Sequence, residues 1–529
     1  MKRLQVWVPL LFSLVLIAGM MIGSDLRKNI PETRDIFDTK PRSSIQKVVD
    51  LVNLHYVDKV NTDTLTDEAI QAMLDQLDPH SVYIPPSHLA EVNDDLKGNF
   101  EGVGVEYYII NDTVHIVNVL PGGPSDKAGL QIGDKFLKVG DTAVTGKTID
   151  SDKIKSYLRG PGASKVRVTV LREGKIIDVE IHRGTIPLFS VDASYMIDNQ
   201  TGYIHLNKFS STTYEEFMRA MEDLQKEGMK KLIFDIRGNG GGILDEAVDI
   251  ADEFLSDRKL IVYTKGNKQD SAAYVCKRPG LFETGEVVLL IDENSASASE
   301  VLAGALQDWD RAKIVGRRSF GKGLVQEQFD LKDGSALRLT VARYYTPLGR
   351  NIQKPYDKGH EMYDRDISDR YNSGELVNGD TLANHHTGPQ FKTPGGRIVY
   401  GGGGITPDYF IPFDTARFSS NVYVLFDNQL FSRFIYTYYL QHKDYFKQFK
   451  NPRDFATRFT QIEDAWNSLL VYASKESVKL ESVPDHDRKE VEQRIKTWMA
   501  RQLWRMEGYY EVTNMDDPAV LKAMEVLKK

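Results

Sequence analysis

The chain has 529 residues, too many for one hydrophobic core, and several domains are therefore expected. Its composition, 41% hydrophobic and 27% charged, is ordinary for globular proteins. The net charge of −8 gives no support for nucleic-acid binding, which usually requires a basic face. A lone cysteine, Cys276, excludes an intrachain disulfide, and its strand-like surroundings argue against a nucleophilic role.

The N-terminal segment has the composition of a membrane anchor or signal sequence. Residues 4–23 contain no charged side chain and follow Lys2 and Arg3. A run of about 20 apolar residues can span a bilayer. Because no clean small-x-small cleavage site follows, an uncleaved anchor is favoured over a cleaved signal. We assign residues 1–30 to this segment and expect the remainder of the chain to face the periplasm.

The next two regions differ in the period of their apolar residues. Residues 31–97 form a predicted helical region, because apolar side chains recur at helical spacing between Ser43 and Leu77. Residues 98–185 contain short β-type runs, glycine-rich turns and one predicted helix, Asp150–Leu158. This second pattern predicts a compact, β-rich module.

Strands and helices alternate from residue 186 to residue 415, which indicates an α/β layered domain. Polar residues 354–393 interrupt the alternation and are interpreted as an insertion or a long loop. Residues 416–529 are predicted to be helical, with single helices over 422–438, 455–475 and 488–506. The aromatic stripe of Phe431, Phe434 and Tyr438 is assigned to core packing.

Three serines compete for one chemical role in the segment Asn294-Ser295-Ala296-Ser297-Ala298-Ser299-Glu300. The segment precedes a predicted helix, whose first N–H groups and dipole favour an oxyanion. Serine is also a preferred N-cap residue, so a purely structural interpretation stays open. The local sequence does not choose among the three hydroxyls.

Lys322, in the turn Ser319-Phe320-Gly321-Lys322-Gly323, is a candidate base for a serine nucleophile. An ordinary lysine is protonated at neutral pH, so this role requires its pKa to fall by roughly 3 units. Apolar neighbours could remove water from the amine, and the amide of Gln326 could orient it without adding charge. The alternative is a solvated turn lysine.

A glycine run, residues 238–242, follows the predicted strand at 231–236. Such a run can aim N–H groups at an anion, but it has neither the phosphate-loop nor the dinucleotide-binding spacing. The eleven histidines show no metal-ligand spacing; His385 and His386 lie in a polar loop, and His80 is interpreted as a turn residue.

In this order, these elements resemble the C-terminal processing peptidases, also called tail-specific proteases, which place a PDZ domain before a serine peptidase core. The resemblance extends from about Leu77 to Asp408. It rests on the segments 77–81, 102–105, 132–134, 235–242, 295–300, 320–323 and 345–347. Each segment is weak evidence alone, whereas the ordered set is specific.

The resemblance implies roles for particular residues. Ser297 matches the family's nucleophile, Lys322 its general base, and Gln326 the glutamine that orients this base. The backbone N–H groups of Gly241 and Ala298 would form the oxyanion hole. Asp308 matches an acidic position at the end of the nucleophile helix and is assigned a structural role.

A second site is implied for the PDZ-like module. PDZ domains bind a C-terminal carboxylate on loop N–H groups and add the peptide as a strand. The matching loop contains Gly102, Val103, Gly104 and Val105, with the two valines bordering an apolar pocket. Arg159 resembles a residue proposed to sense peptide occupancy, although it could equally be a surface arginine at a helix end.

The sequence as a whole predicts an α/β multidomain protein with a crotonase-like ββα-superhelix peptidase core, an inserted PDZ domain and flanking helical regions. The expected activity is a serine endopeptidase that cleaves exported proteins near apolar C-termini, without a metal or organic cofactor. An activating adaptor and a homo-oligomer formed through the C-terminal helices are further expectations. The alternatives are a catalytically dead PDZ adaptor and an acyl-CoA-type hydratase, and an exported chain with a PDZ-like module argues against the hydratase.

Overall fold

The computed structural model describes residues 13, 15–20, 44–147, 149–379, 388–415 and 418–528. The chain divides into two units, Met1–Ile70 and Gln71–Lys529. Helices α1 (Ser44–His55) and α2 (Thr62–Leu74) account for the helical spacing seen in the sequence. Within the described ranges, no helix is long and apolar enough to cross a membrane, and most of the predicted anchor lies outside those ranges.

Within the second unit, a short strand and a helix precede the β-rich module: β1 (Val82–Ile84) and α3 (Pro86–Lys97). The module itself contains β2 (Asn99–Gly102), β3 (Val105–Ile110), β4 (Thr113–Val119), α4 (Pro124–Lys127), β5 (Lys135–Val139), β6 (Thr142–Ala143), α5 (Ser151–Leu158), β7 (Lys165–Arg172), β8 (Lys175–His182) and β9 (Gly184–Pro187). Its main sheet has the order β3-β4-β5-β7-β8, and β2 pairs with β9. Alternate residues of β7, Val168 and Val170, are fully buried, as the period of two predicts.

The α/β region begins with the strands and helices β10 (Val191–Met196), β11 (Thr201–Leu206), α6 (Thr213–Lys226), β12 (Lys231–Asp235), α7 (Leu244–Asp252), β13 (Leu260–Lys265), β14 (Ala272–Val275), β15 (Glu286–Ile291), α8 (Ala298–Asp308) and β16 (Lys313–Gly316). A six-stranded sheet has the order β10-β11-β12-β15-β16-β21, where β21 is Tyr409–Phe410, and its pairs are parallel except β10 with β11. Its central strands are continuous apolar runs because both faces are covered. The multidomain α/β fold predicted from the sequence is confirmed.

A second sheet determines where the lysine turn lies. Strand β18 (Ala336–Tyr345) pairs with β1, β13 and β17 (Leu324–Asp330). The pairing of Val82 with Arg338 brings the segment before β1 next to the strand that begins just after Lys322. Residues far apart in sequence therefore converge at one edge of the core.

The insertion is more ordered than its polar sequence suggests. It contains α9 (His360–Asp364), α10 (Asp366–Asn372), α11 (Glu375–Asn378) and β19 (Gln390–Lys392), and β19 pairs with β20 (Ile398–Tyr400), which follows the insertion. The long-loop interpretation was therefore wrong for its described residues. Helices this short show too little periodicity to be recognised, and they are held by single buried side chains such as Tyr363 and Leu376.

The C-terminal region is helical, and comprises α12 (Ser420–Asp427), α13 (Leu430–Gln441), α14 (Lys443–Phe446), α15 (Pro452–Arg458), α16 (Ile462–Lys475), α17 (Asp485–Thr513) and α18 (Pro518–Val526). The single helices predicted over 422–438 and 455–475 are each two helices; the first break occurs at Gln429, whose φ is +56°. The aromatic stripe is buried in the core of this region, as predicted.

Helix α17 contacts both the β-rich module and the α/β region. Gln502 donates to the Val117 carbonyl at 2.9 Å, and the Tyr510 ring stacks on His205 with ring centroids 4.0 Å apart. Between these contacts the helix is kinked at Trp504 and Arg505, and Arg505 has a φ of +59°. The following helix is fixed to the core by an ion pair between Asp517 and Arg237 at 3.0 Å.

Candidate active site

A cavity of about 630 Å³ lies between the glycine run, the start of α8 and the lysine turn. Its lining includes all five residues to which the sequence assigned catalytic or oxyanion roles: Gly241, Ser297, Ala298, Lys322 and Gln326. The fold therefore gathers residues from positions 241 to 326 into one concave surface, the usual setting for a small site.

Ser297 occupies a constrained turn between β15 and α8. Its φ is 56° and its ψ is −116°, a combination that is rare for residues other than glycine. The Ser297 N–H donates to Glu300 Oε2 at 2.9 Å, which holds the turn from inside the helix. Ser297 lines the cavity at the N-terminus of α8.

The other two serines are committed elsewhere. The Ser295 hydroxyl donates to the Ile236 carbonyl at 2.9 Å, and the Ser299 hydroxyl donates to the Asn239 carbonyl at 2.9 Å. Both residues are fully buried. Of the three hydroxyls that the sequence could not distinguish, that of Ser297 is the one on the cavity wall.

The Lys322 amine lies in a short chain of hydrogen bonds. Its Nζ donates to Gln326 Oε1 at 2.9 Å, and Gln326 Nε2 donates in turn to the His80 carbonyl. Because the His80 carbonyl can only accept, the Gln326 side-chain nitrogen must face it. The Gln326 side-chain oxygen therefore faces Lys322. The solvated-lysine alternative does not describe this side chain.

The environment of Lys322 favours its neutral form. Burial lowers the pKa of this lysine to about 8, and the nearby charge of Arg338 acts in the same direction. The carboxylates of Glu300 and Asp78 oppose the shift. Arg338 also lines the cavity, and no local sequence pattern predicts that it lies near Lys322.

Glu300 joins the serine turn to the lysine turn. Its buried carboxylate accepts from the backbone N–H groups of Ser297, Gly321 and Lys322 at 2.7–2.9 Å and from the Ser319 hydroxyl at 2.5 Å. Burial raises the pKa of this carboxyl to about 7, while the four donors act to lower it. The sequence analysis assigns Glu300 no role, although the spacing Ser297-x-x-Glu300 is that of a capping box.

Gly241 is packed against the serine turn. Its φ is +98°, and a Cβ at this position would lie 2.8 Å from the Ser297 Cβ and 3.0 Å from the Ala298 nitrogen. Only glycine fits there. The Gly241 N–H donates to Asn239 Oδ1 at 2.9 Å, so this predicted oxyanion donor is engaged by a side chain in the present conformation.

The predicted PDZ residues lie outside this cavity. Gly102 ends β2 and Val105 begins β3, while Val103 is buried in the core of the β-rich module. The carbonyls of Val103 and Gly104 accept from the Ser125 and Leu120 N–H groups at 3.0 Å. The loop is therefore fixed within its own module.

Arg159 lies between the β-rich module and the peptidase core. Its guanidinium is 3.3 Å from an Asp94 carboxylate oxygen and 4.5 Å from the centroid of the Phe100 ring. Asp94 belongs to α3, and the next two residues of that helix, Asp95 and Leu96, line the cavity. Arg159 thus contacts the helix that lines part of the cavity, and the alternative of an isolated surface arginine does not describe it.

Cys276, the other candidate nucleophile in the sequence, does not line the cavity. Burial and the neighbouring Asp252 raise the pKa of Cys276 to about 12, which suits an inert thiol. His385 and His386 lie outside the described residues. Among the residues that the structure does describe, no cluster of His, Cys, Asp and Glu could hold a metal ion.

Burying Lys322 reduces stability at neutral pH, which gives a first prediction. The fall in pKa from 10.5 to about 8 corresponds to about 3 kcal/mol. This cost is fully present below pH 8 and disappears as the pH rises toward 10.5, where the unfolded lysine also loses its proton. Lys322→Met should therefore raise the free energy of unfolding at pH 7, and the gain should shrink between pH 8 and 10.5.

Lys226→Met provides the matched control, because this lysine is exposed on α6 and pairs with Asp223 at 2.8 Å. Denaturant titration of the wild type and both variants across pH 6–10.5 would measure the differences. A Lys322→Met variant that is less stable than the wild type at pH 7 would contradict the burial of the Lys322 amine and its lowered pKa.

Comparison with known proteins places this geometry in a family. The model for peptidase family S41 matches residues 200–359, and a PDZ domain model matches residues 115–172. Residues 25–86 match the activating protease CtpB N-terminal domain, and residues 422–505 match a family of unknown function.

Relatives that match more than half of the chain carry consistent names. A carboxy-terminal-processing protease of Bartonella bacilliformis is 32% identical over 72% of this chain and 89% of its own length. A probable CtpA-like serine protease of Staphylococcus aureus is 36% identical over 59% of this chain and 62% of its own length. The solved photosystem II D1 C-terminal processing protease is 32% identical, with a TM-score of 0.33, over 58% of this chain and 83% of that chain. The extent of the Bartonella match establishes that the chain belongs to the carboxy-terminal-processing serine peptidases of family S41.

Proposed function

We propose that this peptidase is an endopeptidase that uses Ser297 as nucleophile and Lys322 as general base. The observation that supports the assignment most strongly is the different use of the three serine hydroxyls. Those of Ser295 and Ser299 are bonded to buried backbone carbonyls, whereas Ser297 lies on the cavity wall with Lys322. A catalytically dead adaptor would not need this set, so that alternative is not favoured.

The chemistry follows from the groups present. Neutral Lys322 donates one N–H to Gln326 and retains a lone pair that takes the proton of the Ser297 hydroxyl as its oxygen attacks the scissile carbonyl. The Ala298 N–H, at the first turn of α8, has no intrahelical acceptor and can stabilise the oxyanion. Gly241 joins it when its N–H leaves Asn239. The protonated lysine then donates to the leaving amine, and water releases the acyl group.

We further propose that the β-rich module selects substrates by their free C-terminus. The loop of residues 102–105 would bind the carboxylate, and Val103 and Val105 would border a pocket for an apolar last residue. Arg159 connects this module to α3, whose Asp95 and Leu96 line the cavity. This contact supports a coupling between binding of a substrate tail and the active site.

The catalytic assignment predicts distinct effects for neighbouring substitutions. Ser297→Ala should abolish cleavage of an unfolded protein with an apolar C-terminus, while Ser295→Ala and Ser299→Ala leave measurable activity. Lys322→Arg should be as inactive as Lys322→Ala, since arginine is not deprotonated in proteins. Because the base works when neutral, the wild-type rate should rise about tenfold per pH unit below pH 8 and level off above it. Normal turnover by Ser297→Ala or Lys322→Arg would disprove the assignment.

Tail recognition predicts a dependence on the substrate's last residue. Three substrates identical except for a free apolar terminus, an amidated terminus and a terminal Asp should differ, with the first cleaved fastest. The amide lacks the negative charge that loop N–H groups would bind, and Asp is unsuited to an apolar pocket. Cuts mapped by mass spectrometry would measure the rates, and equal rates for all three would argue against tail recognition.

We propose that the chain is anchored in the inner membrane through residues 4–23, with the peptidase facing the periplasm. The support is the uncharged run after Lys2 and Arg3. Fractionation should recover the full chain with membranes, and protease added to spheroplasts should digest it. A chain lacking residues 4–23 should leave the membrane fraction. Undigested full-length chain in the cytosol would refute the proposal.

A further inference from the structure

The insertion reaches the catalytic lysine turn through Tyr363 of α9. The Tyr363 hydroxyl and His80 Nε2 are 2.7 Å apart, and the two rings meet edge to face with centroids 5.3 Å apart. Tyr363 is 3% exposed, although it lies in the polar segment that the sequence marks as an insertion. Its position is also beyond residue 359, where the match to the peptidase family model ends.

His80 connects Tyr363 to the base. The His80 carbonyl accepts from Gln326, and Gln326 Oε1 accepts from the Lys322 amine at 2.9 Å. On the other side of this turn, Asp78 accepts from the His80 N–H at 2.9 Å and from the Ser81 hydroxyl at 2.6 Å. The turn whose carbonyl orients Gln326 is thus held at two points of His80. Asp78 accepts from the His80 backbone N–H, and Tyr363 bonds to the His80 ring.

A second contact fixes Tyr363 against the lysine turn itself. The Lys354 ammonium lies 3.8 Å from the centroid of the Phe320 ring and 4.1 Å from that of Tyr363, so the two rings enclose one cation. The backbone N–H of Lys354 donates to the Gly321 carbonyl at 2.9 Å, and the Lys354 ammonium pairs with the Asp366 carboxylate at 3.3 Å. The insertion therefore packs directly on the residues that flank Lys322.

We propose that Tyr363 is a positioning residue for the catalytic base, acting through His80 and Gln326 on Lys322. The proposal rests on the function proposed above for Lys322. By covering the His80 ring and bonding to it, Tyr363 keeps the Gln326 acceptor aimed at the amine and keeps water away from the lysine turn. The insertion is then a working part of the active site.

The charges around His80 agree with this role. Burial lowers the pKa of His80 to about 4, and the neighbouring charge of Lys322 acts in the same direction. The other titratable groups that face the ring are Asp78, Lys354, His360 and Tyr363. His80 is consequently neutral where the enzyme would work, and a neutral ring nitrogen needs the uncharged partner that the Tyr363 hydroxyl provides.

The test compares the full-length wild type with Tyr363→Phe, which removes one hydroxyl and keeps the ring. Losing this hydrogen bond should reduce kcat by about threefold to tenfold with KM nearly unchanged. As Lys322 becomes more hydrated, the rising limb of the pH–rate profile should move up by about half a pH unit. A residue that only fills space would leave this limb in place, because phenylalanine fills nearly the same volume.

Tyr371→Phe is the matched control. Tyr371 lies in the same insertion and packs edge to face on Phe413 with centroids 5.8 Å apart, away from the lysine turn. It should retain wild-type rate and pH profile. Thermal melts of both variants show whether a loss of activity reflects unfolding.

His80→Phe tests the same chain from the other side and covers the case in which Tyr363→Phe does not fold. It keeps a ring between Tyr363 and Phe320 and the backbone carbonyl that Gln326 needs, so the same upward shift is expected. Both substitutions remove the Tyr363–His80 hydrogen bond, so the double variant should lose no more activity than the more affected single variant. Fully additive effects, or an unchanged limb in folded Tyr363→Phe, would overturn the proposal. If Lys322→Ala is itself active, the proposed function has failed and the inference with it, whereas an inactive Lys322→Ala beside a normal Tyr363→Phe refutes the inference alone.

Discussion

One buried carboxylate holds the peptidase site together. Glu300 accepts hydrogen bonds from both the serine turn and the lysine turn. Two of its backbone donors, Ser297 and Lys322, are 25 residues apart along the chain. Neither turn is regular secondary structure, and Ser297 has backbone angles that no isolated peptide would prefer. An ionised carboxylate can satisfy all four donors at once, so the geometry of the reacting groups depends on burying a charge. The raised pKa of this carboxyl reflects the cost of that burial.

Lys322 is a second buried charged group in this site, and its charge is opposite to that of Glu300. As with Glu300, burying it costs stability. Removing water from Lys322 destabilises its ammonium form, and this is the property that allows it to accept a proton near pH 8. The surrounding elements keep this unfavourable arrangement in place: Gln326 supplies an uncharged acceptor, and Tyr344 places its hydroxyl within hydrogen-bonding distance of the backbone carbonyls of both Ser297 and Lys322. The site is therefore a strained region supported by a well-packed core.

The sequence predicted what depends on local pattern and could not predict what depends on distant contacts. The strand predicted at 231–236 is found as β12 (Lys231–Asp235), because a buried strand is a continuous apolar run. The gathering of Ser297, Lys322 and Gln326 could be expected only from a family resemblance. The contribution of Arg338 and the contact of Tyr363 with His80 could not be found, since nothing local to those residues indicates their partners. The break at Gln429 was missed for a similar reason, as the apolar period continues through it.

Helix α17 has a mechanical consequence for the whole second unit. At the kink, Gln502 and Arg505 bond to the β-rich module, Arg505 through Glu106. In the turns that follow, Tyr510 packs on His205 of the peptidase sheet. A rotation of the β-rich module about the peptidase core must therefore either break these bonds or change the angle of the kink. Arg505 already has an unfavourable φ of +59°, so straightening the helix would release strain as the contacts are lost. The strained backbone of Arg505 thus lies between the contacts that this helix makes with the two modules.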